Sequence, residues 1–194
     1  AGAAEYFIFT SFRDNGEDGL HLALSTNGYH WRALKGDRPF LKPENIGYGL
    51  MRDPCLAPGP DGTFHMVWTS GWTTDKEPVI GYATSKDLIH WAPQRAIRLM
   101  ENEPTVRNLW APEIFYDRPT ARWLVFWSST IPGRFAQTDQ TGDSGYNHRV
   151  YAVTTKDFET FTPPKLFFDP GFNVIDATLL AAEGKFYLIF KDER

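Results

Sequence analysis

The sequence predicts an all-β fold, a propeller of repeated four-stranded antiparallel blades, and three observations carry that prediction. Helical periodicity is scarce: most apolar segments are short, rich in aromatic and β-branched residues, and bounded by Gly, Pro, Asp and Asn, which is the pattern of strands. One strand–turn–aromatic segment occurs three times, at Leu20 to Trp31, Ile80 to Trp91 and Val150 to Phe161. Two further segment types accompany it in fixed order, and the closing aromatics Trp31, Trp91 and Phe161 stand 60 and 70 residues apart. A β-sandwich also supplies many short strands, but it does not repeat one set of motifs in order. A four-stranded unit at this spacing is the signature of blades around a central channel.

The elements follow from these repeats. Second strands are expected at Tyr6 to Phe12, Phe64 to Thr69, Trp123 to Ser128 and, a fourth time, Phe186 to Lys191. First strands precede them, opening at Arg52-Asp-Pro-Cys, Ala111-Pro-Glu-Ile and Ile175-Asp-Ala-Thr. Each blade therefore reads first strand, turn, second strand, loop, third strand, turn and an edge strand. The expected blades are 5–45, 50–100, 108–168 and a partial 173–194, within one incomplete propeller domain spanning 1–194. The first copy starts at its second strand and the fourth stops after its second. About three blades' worth of chain is present, and roughly a hundred residues needed to close a ring are expected on a missing segment or a second chain.

Composition narrows the function. A formal net charge of −4 over 194 residues argues against nucleic-acid binding, which needs a basic stripe. No run of like charges and no apolar stretch of bilayer-crossing length occurs, so no membrane partner is expected. Cys55 is the only cysteine, which excludes an intrachain disulfide and a multi-cysteine metal site. No base neighbours it in sequence, so it reads as a buried apolar residue. The aromatic fraction of 15%, with seven Trp, suits strands and also supplies flat platforms for sugar rings.

Three acids carry the chemistry. Glu113 lies 14 residues before Trp127, Asp176 lies 14 before Phe190, and Asp53 lies 15 before Trp68, the extra residue being assigned to the Pro60–Gly62 turn. That register places a carboxylate at the start of every first strand, the innermost strand of a blade, so that the three converge on the axis. Converging carboxylates raise one another's proton affinity. Such acids can cap backbone N–H groups or hold an axial cation, but three in register favour a catalytic reading. Glycosidic bond hydrolysis uses one protonated and one ionised carboxyl group, and a third acid can tune the proton donor. No Ser-His-Asp or Cys-His arrangement competes.

Loops between second and third strands open on the same face as the acids. The longest, Ile131 to Arg149, contributes Arg134, Tyr146, His148 and Arg149 as expected rim residues, its length and polarity suiting substrate binding. The second-blade loop contributes Trp72, and Trp110 opens the third blade; each reads equally as a sugar platform or as packing. Arg52, beside Asp53, joins the substrate-binding set. His30 and His90 occupy one repeat position and read as structural. His21 and His65 have no ligand spacing, and no metal site is assigned.

Met51-Arg-Asp-Pro54, the strand Asp61-Gly-Thr-Phe-His-Met-Val-Trp68, Trp110-Ala-Pro-Glu113 and Val174-Ile-Asp-Ala177 resemble glycoside hydrolase family 43. The resemblance spans essentially the whole chain. Its wider group, the arabinanases, β-xylosidases, invertases and levansucrases, shares a five-bladed propeller. The resemblance implies that Asp53 is the general base and that Asp176 tunes the pKa of the acid and orients it, although Ala177 stands where the family usually has Pro. The family's Trp-Ala-Pro-Asp stretch here ends in Glu113. The family's general acid, a Glu before Gly-Pro, has no counterpart before Arg194 and is expected beyond it, which makes Glu113 a substrate-side acid; a second assignment makes Glu113 the acid itself. An inverting mechanism and no obligatory organic cofactor follow; some members also hold an axial calcium ion, which this sequence neither supports nor excludes. The expected partner is a plant or microbial poly- or oligosaccharide, an arabinofuranoside, xyloside or galactoside. Two alternatives stand beside it: an invertase-like fructosidase, and a sugar-binding propeller without catalysis. A secreted or periplasmic location is expected over a cytoplasmic one, although the N-terminal Ala-Gly-Ala-Ala-Glu shows no signal-peptide pattern.

Overall fold

The computed structural model describes residues 5–73, 78–139 and 143–194. Its strands form four antiparallel sheets in chain order. The first sheet contains β1 (Phe7–Ser11), β2 (His21–Ser25) and β3 (Arg32–Ala33). The second runs β4 (Arg52–Pro58), β5 (Phe64–Thr69), β6 (Val79–Ser85) and β7 (Arg95–Arg98). The third repeats that order with β8 (Trp110–Asp117), β9 (Arg122–Ser129), β10 (Arg149–Thr155) and β11 (Lys165–Phe168). The fourth pairs β12 (Val174–Ala182) with β13 (Lys185–Asp192). These are two complete blades flanked by two partial ones, an arc of a propeller rather than a closed ring.

Alternation along the second strands explains why the sheets stack. In β5, Met66 and Trp68 face the first sheet, where they bury with Leu20, Leu22 and Met51, while Val67 faces the third sheet. In β9, Val125 and Trp127 face back toward the second sheet, and Phe126 turns to the fourth, against Val150, Val174 and Ala177. A strand apolar on both faces is what a blade between two neighbours requires.

The repeated turn after each third strand has one physical design. Ser25, Ser85 and Thr155 accept backbone N–H bonds through their hydroxyls, from Asn27 and Gly28, Asp87 and Leu88, and Asp157 and Phe158 respectively. Asn27, Asp87 and Asp157 then accept two more through their side-chain oxygens. These hydroxyl and carboxyl turns replace the ladder bonds that the chain loses on reversing.

Candidate active site

Each innermost strand begins with a β-bulge, at Asp53 and Pro54 in β4, Ala111 and Pro112 in β8, and Asp176 and Ala177 in β12. The first bulged residue holds a left-handed φ in all three: 48° at Asp53, 45° at Ala111 and 52° at Asp176. Bulges re-aim side chains at strand ends. Here two of the three re-aimed side chains are carboxylates, and both enter one cavity of about 170 Å³ lined by Arg52, Asp53, Thr69, Trp72, Trp110, Ile175 and Asp176.

Cross-strand pairing corrects the expected register of the third acid. Arg52 pairs with Thr69, Trp110 with Ser128 and Ile175 with Lys191, so the position equivalent to Asp53 and Asp176 is Ala111. Glu113 lies two residues deeper, level with Cys55 and Thr178. The count from the second strand fails because the hairpins differ in both turn and paired length: residues 59–63, 118–121 and 183–184 form the turns, and the inner strand from bulge to last pair runs 53–58, 111–117 and 176–182. Glu113 Oε2 accepts a hydrogen bond of 2.7 Å from the Thr178 hydroxyl, and Glu113 does not line the cavity.

The two cavity acids differ in their support. Burial raises the Asp53 carboxyl, while the Thr69 hydroxyl and the Arg52 charge pull it back down. Thr69 Oγ1 donates to Asp53 Oδ2 at 3.0 Å and accepts from the Ala111 N–H at 2.8 Å. Asp176 is also raised, first by burial and then by the charge of Asp53, against a smaller opposing effect of Lys191. Both residues keep solvent-exposed surface at the open arc. Glu113 is raised by burial as well, with the Thr178 bond opposing.

A chain of aromatic rings and cations forms the wall. The Arg52 guanidinium lies 4.7 Å from the Phe12 ring and 4.1 Å from the Trp72 ring, and donates to Asn15 Oδ1. Trp72 meets Trp110 edge-on at 5.9 Å, and the Trp110 indole N–H donates to the Trp72 carbonyl at 3.0 Å. Behind Trp110 stack Tyr146 and His148, with Arg107 over Tyr146. His148 is therefore a buried backing for the wall, and the cavity does not reach it.

Arg134 and Arg149 stand apart from this group. Arg134 is exposed and paired with Glu103 at 2.7 Å. Arg149 is fully buried, paired with Asp169 at 2.5 Å and bonded to Asn147 Oδ1 and Thr138 Oγ1. It ties together Thr138, Asn147 and Asp169, and among the described residues it is enclosed by these partners, which corrects its expected place on the rim. Thr69 and Ile175, which the motif pattern does not single out, do line the cavity. A hydroxyl in an alternating strand carries no signal of its bonding partner.

An axial calcium ion would take six to eight oxygen ligands; among the described residues no three His, Cys, Asp or Glu side chains converge to hold a metal. Two wider clefts of about 330 and 390 Å³ lie at the hairpin end of the inner strands, around Phe115 and Asp117 and around Pro58 and Tyr116. Neither brings two acids together.

Inner strands that deliver two carboxylates into one aromatic-walled cavity define a propeller of glycoside hydrolase type. The chain belongs to the glycosyl hydrolase 43-related family, whose profile, described as "Probable glycosyl hydrolase domain", matches residues 3–194. It is 30% identical over 202 aligned residues to an alpha-L-arabinofuranosidase of Bifidobacterium longum subsp. longum, covering 98% of this chain and 17% of that protein. A thermostable family-43 glycoside hydrolase of known structure superposes on 99% of this chain and 61% of its own, with a TM-score of 0.68 and 14% identity. The Bombyx mori GH32 beta-fructofuranosidase does so over 95% and 39%, with a TM-score of 0.67 and 17% identity. These two structures establish the fold. The chain spans 17% of the curated relative and 39% and 61% of the two solved chains.

Proposed function

We propose that this chain forms part of an inverting glycosidase acting on arabinofuranosides, with Asp53 as general base and Asp176 as the residue that tunes and orients the proton donor. The observation that carries the reading is the pair of equivalent bulges that aim Asp53 and Asp176 into one cavity. Family membership supports hydrolysis, and the relative named an alpha-L-arabinofuranosidase supports the sugar.

The chemistry follows from the unequal support of the two acids. Asp53 has a donated hydroxyl and an adjacent guanidinium, so it ionises first, and its charge then favours the protonated form of Asp176. An ionised Asp53 accepts a proton from water as the water oxygen attacks the anomeric carbon. The leaving oxygen takes its proton from an acid on the opposite side of the sugar. Among the described residues the cavity holds no third carboxyl group, and the proton donor is left to an acid outside that described lining. Glu113 is not assigned that role, because its carboxylate is committed to Thr178. Trp72, Trp110 and Arg52 form the wall against which the sugar ring packs.

The full-length protein tests this on an aryl α-L-arabinofuranoside. Asp53→Asn is expected to lower kcat by about a hundredfold to ten-thousandfold with little change in KM, the range that a general base supplies. Unchanged kcat in that variant would remove Asp53 from the mechanism. Absence of hydrolysis on any aryl glycoside, with retained sugar binding, would establish the binding-propeller reading instead.

A further inference from the structure

We propose that Thr69 is a positioning residue for Asp53, and that the bulge of the third blade serves to fix the direction of its hydroxyl. The inference rests on the reading of Asp53 as general base. Two hydrogen bonds carry it. The Ala111 N–H donates to Thr69 Oγ1 at 2.8 Å, and Thr69 Oγ1 donates to Asp53 Oδ2 at 3.0 Å. A hydroxyl has one proton to give. A backbone N–H can only donate, so the hydroxyl must accept on that side and direct its own proton at the carboxylate.

That wiring has three consequences at Asp53. It holds the carboxylate against rotation, so that one oxygen is spoken for and the other faces the cavity. It favours the ionised form, opposing the effect of burial. It also gives purpose to a conformation otherwise unexplained. Ala111 occupies the bulge position that carries an acid in both neighbouring blades, and its φ of 45° is strained for an L-residue with no side chain to aim. What the bulge aims at Ala111 is the N–H, across the blade boundary, toward Thr69. Thr69 itself is buried, at 1% exposure, so its hydroxyl has little competition from bulk water.

The decisive comparison uses the full-length protein and four variants: Asp53→Asn, Thr69→Val, Thr69→Ala and Thr69→Ser. Thr69→Val keeps the shape and removes the hydroxyl. It is expected to lower kcat roughly tenfold to a hundredfold, leave KM nearly unchanged, and move the acid limb of the kcat profile up by about one pH unit, because the base loses the bond that favours its ionised form. Thr69→Ser is expected to restore both the rate and the limb. Thr69→Ala opens space for a water to satisfy the Ala111 N–H and gives the same comparison if Thr69→Val does not fold. A wild-type acid limb and rate in the folded hydroxyl-free variants, with Asp53→Asn inactive, would overturn the role of Thr69 and leave the base intact. Full activity of Asp53→Asn would remove the base and this inference with it.

Discussion

Asp53 and Asp176 are held where an L-residue resists being held. A left-handed φ costs such a residue roughly 1–2 kcal/mol, and both acids sit there in bulges that interrupt their ladders. Strain of this kind persists only where the surroundings over-determine it, and it gathers at functional sites. Cys55 shows the opposite use of burial: burial, and after it the charge of Glu113, pushes its thiol up to about 12, which disfavours the nucleophilic thiolate. His148 makes burial measurable. It is 1% exposed, neither ring nitrogen has a partner in hydrogen-bonding geometry, and burial holds its pKa down to about 4. The charge of Glu193, and after it the nearby Asn173 amide, pull the other way as smaller effects. In the unfolded chain the ring titrates near 6.5. Below that pH the unfolded state takes up a proton that the folded state refuses, so stability is fully present above about 6.5 and is lost as pH falls toward 4. Between pH 7.5 and 5 the wild type is expected to lose about 2 kcal/mol more than His148→Phe in urea unfolding. Equal losses in the two proteins would show that His148 is not the group responsible.

At the scale of elements, the sequence shows most of the strands and little of their fine register. The second strands read from the repeat coincide with β5 and fall within a residue of the ends of β1, β9 and β13, because aromatic and β-branched runs bounded by turn residues have few other solutions. The bulges were not legible. Asp53-Pro54 and Ala111-Pro112 share a proline but Asp176-Ala177 does not, and nothing in residue type marks a position that must turn left-handed. Unequal hairpins then displaced Glu113 by two residues, which moved one of three expected acids out of the cavity. Arg149 was misplaced for a related reason. A loop arginine is ordinarily a surface group, but here Asp169, Asn147 and Thr138 satisfy it in the interior. The packing between strands is strict enough to test. A Cβ on Gly81 in β6 would come within 1.9 Å of the Trp68 ring, which is itself fully buried. Neither backbone nor indole has room to yield. Gly81→Ala is therefore expected to destabilise this domain by about 2–3 kcal/mol, read as a lower urea midpoint with unchanged slope. A midpoint equal to that of wild type would mean that the Trp68 ring does not lie closed against Gly81 on the neighbouring strand.

At the scale of the whole chain these residues form an arc, and its two end sheets explain the distribution of exposed apolar surface. Side chains that face inward along the arc are buried between consecutive sheets. Those on the outer face of the first sheet, Phe7, Phe9 and Trp31, are 44%, 56% and 43% exposed, and those on the outer face of the last, Leu180, Tyr187 and Ile189, are 52%, 41% and 54% exposed. Strand alternation settles which face each belongs to. In β1, Thr10 pairs with Leu22, which packs on the second sheet, so Phe9 points away from it. In β13, Leu188 and Phe190 pack on the third sheet, so Ile189 points away. Apolar clusters of this kind on a soluble surface mark faces made for another protein surface, and in a propeller the natural occupant is the next blade. The 194-residue chain alone is therefore expected to self-associate with rising concentration in analytical ultracentrifugation. Phe9→Lys combined with Ile189→Lys is expected to return it to monomer. In the full-length protein the same pair of substitutions is expected to have the opposite consequence, a loss of stability of about 2 kcal/mol or more, because it buries two charges between blades. A full-length protein indifferent to both lysines would show that these faces remain open to solvent and that the ring is not completed over them.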